Sequence, residues 1–91
     1  MLFVTLVKMR RYVTKDDMER VKEGLKKSEK TGAKTLSMYF TLGRYDVVLV
    51  SDCPNEKIHM KMALQFGDLA SSESMVAIPM EEFEKLLEQN R

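Results

Sequence analysis

Cysteine and histidine occur once each in these 91 residues. A lone Cys53 cannot close an internal disulfide, which fits a reducing compartment. Cys53 and His59 alone are far short of a metal-ligand set, so no metal site is expected, and no cofactor. Charge of one sign is also missing: 15 basic residues face 14 acidic ones, for a net charge of +1. That balance exerts no overall pull toward nucleic acid or an anionic membrane. Long hydrophobic runs are absent as well. Met1-Leu2-Phe3-Val4-Thr5-Leu6-Val7 is too short to span a bilayer. It leads straight into Lys8-Met9-Arg10-Arg11, which puts charge on the wrong side for a signal peptide. The expectation is a cytoplasmic chain whose first strand begins at once. No internal repeat, linker or low-complexity segment interrupts it.

What is present describes one small domain over residues 1–91. Hydrophobic residues make up 44% and charged residues 32%, which is a globular rather than a disordered balance. Cores of this size are marginal and often gain stability by self-association. Leu2 to Met9 reads as a strand, apolar on both faces. Thr14 to about Thr31 reads as a helix, capped by Thr14 or Asp16, striped by Met18, Val21 and Leu25, and stopped by Gly32. A second helix is expected from about Pro54 to Ala70, through Ile58, Met62, Phe66 and Leu69, with Pro54 at its first position. Ser74 to Ile78 reads as a short strand ended by Pro79. Glu81 to about Gln89 reads as a terminal amphipathic helix.

Between the first two helices, Thr35 to Val50 reads as two strands joined by Gly43-Arg44. Glycine at the first central position suits a type II′ turn, because it takes positive φ without steric cost. A two-residue loop would pair Leu42 with Tyr45, Phe40 with Val47, Met38 with Leu49, and Leu36 with Ser51. The order strand-helix-strand-strand-helix-strand, plus a terminal helix, is that of an α+β, ferredoxin-like sandwich. Right-handed connections then give a four-stranded antiparallel sheet ordered 4-1-3-2. Leu36, Met38, Phe40, Leu42, Tyr45, Val47 and Leu49 would meet the helices. The other face carries Thr35, Ser37, Tyr39, Thr41, Asp46, Val48 and Val50, a mixture too apolar for bare solvent. Two helices cover only one side of a sheet, so a second copy is the expected lid, as a homodimer or a ring of dimers.

Thr41-Leu42-Gly43-Arg44-Tyr45-Asp46-Val47-Val48, following Ser37-Met38-Tyr39-Phe40, resembles the signature hairpin of the GYD domain family. The resemblance extends from the first strand to Met80-Glu81-Glu82-Phe83. It implies a dimeric α+β barrel type of fold in a family without a settled function. The Gly-x-Tyr-Asp turn is also similar to that of ligand-binding domains in leucine-responsive-type regulators.

Candidate ligand-binding residues cluster at the hairpin: Tyr39, Thr41, Arg44 and Asp46. The Tyr39 hydroxyl could orient a ligand or serve a dimer interface. Arg44 could clamp a carboxylate or phosphate, or simply be solvated. Asp46 could bind an amine or act as a base, or accept turn N–H groups. Tyr45 is expected in the core, with Cys53 and with Met18, Met38, Met62 and Met75 as packing. His59 falls off the main stripe of its helix. A catalytic Cys–His pair would need a third, orienting group. The RNA-recognition module shares this topology, but Val47-Val48-Leu49-Val50 has no stacking aromatic, so nucleic acid is not an expected partner. The expected function is non-enzymatic binding of a small polar or anionic metabolite at the sheet or between subunits. The alternatives are a cofactor-free oxygenase or isomerase, for which His59 and Asp46 are the only good acid or base candidates, and a ligand-free assembly module. The enzyme alternative rests on fold analogy.

Overall fold

A computed structural model describes residues 1–90. The elements run β1 (Leu2–Met9), α1 (Lys15–Glu29), β2 (Lys34–Phe40), β3 (Val47–Asp52), α2 (Glu56–Leu64), β4 (Ala70–Ala77) and α3 (Met80–Gln89). The sheet order is β2-β3-β1-β4, the expected 4-1-3-2 order read from the other edge. β1 sits at the centre, antiparallel to both β3 and β4. This is the ferredoxin-like α+β arrangement.

Local chemistry starts each helix. Thr14 accepts the Asp17 N–H while the Asp17 carboxylate accepts the Thr14 N–H, which closes a capping box at α1. The Arg11 guanidinium grips the same carboxylate in a fork and holds it well below the usual carboxylate range. Gly32, at φ 95°, turns the chain out of the helix. Asn55, not Pro54, opens α2, its side chain accepting the Ile58 N–H at 2.9 Å.

The second helix is shorter than its apolar stripe implied. It ends at Leu64, and a turn bonded from Leu69 and Ala70 back to Phe66 returns the chain to the sheet. Phe66 and Leu69 keep helical spacing in the sequence, yet they reach the interior from that turn. β4 consequently begins at Ala70 rather than Ser74. Ser71-Ser72-Glu73-Ser74 has little strand propensity of its own, so pairing with β1 imposes the extension.

The hairpin departs from expectation at both ends. Phe40–Val47 and Met38–Leu49 pair as anticipated, but a bulge at Leu36 makes Thr35 the partner of Ser51. The loop is wider than two residues. Thr41 N–H donates to the Asp46 carbonyl at 2.8 Å, and Leu42 stands fully exposed instead of pairing with Tyr45. Gly43 holds φ 116°.

Phe3, Ala33, Leu49, Cys53 and Met62 form the buried cluster, with Leu25, Met38 and Ile58 against it. It lies between the sheet and the two helices. The opposite face carries Leu2, Val4 and Leu6 from β1, Val48 and Val50 from β3, and Tyr39 from β2. Two residues assigned to the core belong elsewhere. Tyr45 lies against this opposite face, where its hydroxyl donates to Glu73 at 3.0 Å, because the wide loop reverses the alternation before β3. Met75 pairs with Val4 and is 49% exposed on the same face. α3 buries none of its residues, and Phe83, Leu86 and Leu87 remain exposed.

Candidate functional site

Burial in α2 singles out His59. It lies one turn before Met62 and faces inward, 5% exposed. Its ring stacks on Phe3, with centroids 3.9 Å apart and planes 5° from parallel. That stack, from the central strand, fixes the orientation of the imidazole. Nε2 lies 2.7 Å from the Ser74 hydroxyl, which is in turn 3.0 Å from the Thr5 hydroxyl. Nδ1 faces the Cys53 sulfur at 3.8 Å.

Burial disfavours the charged imidazolium and pushes the His59 pKa down. Burial likewise pushes the Cys53 thiol up. Both groups are therefore neutral near pH 7. A hydroxyl is a better donor than a thiol, which assigns Nε2 as the acceptor from Ser74 and leaves Nδ1–H toward sulfur. Cys53 comes from the loop just after β3, His59 from α2 and Ser74 from β4, and the packing of α2 on the sheet joins them.

Beside this network, a partly open cavity of about 80 Å³ lies between the sheet and the helices. Its wall is mostly apolar, from Val21, Leu25, Val47, Leu49, Phe66 and Leu69, with four methionines, Met9, Met18, Met38 and Met62. Thr5, His59 and Ser72 contribute the polar side chains. Methionine is unbranched and polarisable, so a wall built from it adapts to what it holds.

The four hairpin candidates do not converge. Tyr39 is 64% exposed on the helix-free face. The Thr41 hydroxyl donates to the Tyr45 carbonyl at 2.7 Å. The Asp46 carboxylate accepts the Met9 N–H at 2.7 Å, while its own N–H donates to the Val7 carbonyl. Thr41 and Asp46 border one surface cleft with Met9, Arg10 and Tyr12. Arg44 borders another, with Lys8, Tyr45, Ser71 and Glu73. The Arg44 guanidinium lies 6.0 Å from the Tyr45 ring centroid. Asp46 does not line the cavity that holds His59, so the acid–base pair imagined for an enzyme is not assembled. His59 does not fall off the buried stripe as expected but lies within it, because His59, Met62 and Phe66 share the i, i+3, i+7 spacing that the stripe drawn through Ile58 passed over. Ser74 carried no such signal.

A family model described as the GYD domain matches residues 3–87. Among solved structures, the chain is similar to a dimeric ferredoxin-like protein of unknown function from Thermobifida fusca YX. The two are 18% identical with a TM-score of 0.54, over 84% of this chain and 89% of that one. At such identity the likeness speaks for the fold alone. No curated protein matches the sequence.

Proposed function

The chain belongs to the GYD domain family, and from that premise we propose a non-enzymatic binding domain that holds a small molecule between its sheet and its helices. The observation that carries this is the partly open cavity of about 80 Å³ with one imidazole in its wall. A concave, mostly apolar wall with a few placed polar groups is the usual form of a small-molecule site, and the small volume here restricts it to a ligand of few heavy atoms. The wall chemistry shifts the ligand class from polar toward mostly apolar, with a single group that hydrogen-bonds to the Thr5 or Ser72 hydroxyl. The domain works as a homodimer or a ring of dimers in the cytoplasm, and a second copy supplies the lid over the helix-free sheet face.

The test is a thermal-shift series with phenol, indole and short-chain alcohols. A ligand present at 100 times its Kd stabilises by about 2.7 kcal/mol, which moves Tm by many degrees in a domain this small. Ala63→Leu, which fills the cavity, should remove the shift. No shift with any probe at millimolar concentration would end this reading.

A second reading is favoured by the cleft that Lys8 and Arg44 share with Tyr45 and Ser71 on the helix-free face. Two cations outnumber the one carboxylate there, Glu73, which holds the Tyr45 hydroxyl, and with the Ser71 hydroxyl they suit a small anionic metabolite. In it, Arg44 meets the ligand, Thr41 and Asp46 hold the loop that carries Arg44, and Tyr39 stands outside the cleft. Stabilisation by inorganic phosphate or citrate that disappears in Arg44→Ala would select this reading over the cavity.

A further inference from the structure

We propose that Ser74 is a nucleophilic serine, with His59 as its general base, and that it accepts an acyl group from activated esters. The geometry is that of a nucleophile and base already in contact, 2.7 Å apart, with the base held from its far side. The stack on Phe3 and the Cys53 sulfur at Nδ1 restrain the ring. The Thr5 hydroxyl, 3.0 Å from Ser74, is a second hydrogen-bond partner at the nucleophile.

Access distinguishes Ser74 from a merely satisfied polar pair. His59 is buried, but Ser74 is exposed on β4, an edge strand of the sheet. The neighbouring Ser71 has no such base; its hydroxyl contacts the Lys8 carbonyl. The imidazole is neutral near pH 7 and able to take a proton.

In the reaction, Ser74 Oγ attacks the ester carbonyl and its proton passes to His59 Nε2. The tetrahedral adduct collapses, the bond to the leaving oxygen breaks, and His59 returns the proton to the departing alcohol or phenol. The product is an O-acyl serine; no oxidant or cofactor enters the balance. Ser74 is not part of the cavity wall, but His59 is, so the two proposals share the imidazole and differ in what they ask of Ser74.

The experiment is incubation with p-nitrophenyl acetate, followed by intact mass and peptide mapping. One acetyl on Ser74 is expected, with an equal amount of p-nitrophenolate released. The rate should rise through a single titration below the ordinary histidine value of about 6.5 and then level off. Ser74→Ala should lose the acetyl, and folded His59→Gln should slow its transfer by about 100-fold or more. Acetyl found on lysines but not on Ser74 would overturn the proposal, as would a rate indifferent to His59→Gln. Should that variant fail to fold, Ser74→Cys replaces it. Its thiol should react with iodoacetamide at least about tenfold faster than a Ser71→Cys control; equal rates would overturn the proposal equally.

Discussion

On β1, Phe3 and Thr5 turn toward the helices and are buried, while Leu2, Val4 and Leu6 turn the other way and stay half covered. The pattern continues across the sheet. Val47 and Leu49 are buried beneath the helices, whereas Val48 and Val50 beside them are half covered and Met75 is largely open. At its centre the helix-covered face closes with material from its own chain, including the hydrogen bonds that satisfy Thr5 and His59, while Phe40 and Val76 on its edge strands stay exposed. The other face and the apolar side of α3 have no such cover. A single strand thus takes part in one finished interface and one unfinished one. A small domain cannot bury both faces of a sheet with two helices, and the remainder is left for the proposed second copy.

The sharpest way to break this contrast is to remove matched side chains from the two faces of β1. Phe3→Ala should cost about 3–5 kcal/mol in urea denaturation, through lost burial and a cavity under His59. Val4→Ala should cost far less within one protomer. Equal costs would mean that the helix-free face is as complete as the other.

Val48→Lys tests that face from the opposite direction. It should leave protomer folding nearly intact and weaken self-association at least tenfold, about 1.4 kcal/mol, read by sedimentation velocity across micromolar concentrations. An oligomer indifferent to the change would place the interface elsewhere.

Acid should act selectively on the covered face. Burial lowers the His59 pKa in the folded state, so between that value and the unfolded value of about 6.5 the unfolded chain binds more protons. Stability is therefore full above about pH 6.5 and declines as pH falls through that window. His59→Gln should flatten this slope. Asp17, held low by Arg11, loses its own contribution only at more acid pH, below the ordinary carboxylate range. A melting profile with no slope between pH 6.5 and 5 in the wild type would contradict the buried, neutral imidazole.

The hairpin loop lies outside both faces, and its substitutions should have the smallest effects. Gly43→Ala should cost about 1 kcal/mol, from strain at φ 116° alone, since nothing stands within 4 Å of a Cβ there. Arg44→Ala should change Tm little, within about 0.5 kcal/mol, because the side chain is exposed. A large loss from Arg44→Ala would show that its contact with Tyr45 helps hold the loop against the sheet.

The order of strands and helices, the sheet order and the Thr14 cap were all legible in the sequence. Each follows from signals that act over a few residues or from the handedness of connections. So was the pairing of Phe40 with Val47, which needs only the centre of the hairpin. The ends of elements were not. α2 stops at Leu64 although its apolar spacing continues, because spacing does not distinguish a helix from a turn that delivers the same side chains. Tyr45 changed faces because a wider loop reverses a period-two pattern. The Cys53–His59–Ser74 network was wholly illegible, since Thr5 and Ser74 lie 69 residues apart and meet only when β4 pairs with β1. Periodicity is a local property of the chain, and it determined which residues point the same way. Which of them touch was decided by the register of strands brought together from distant parts of the chain.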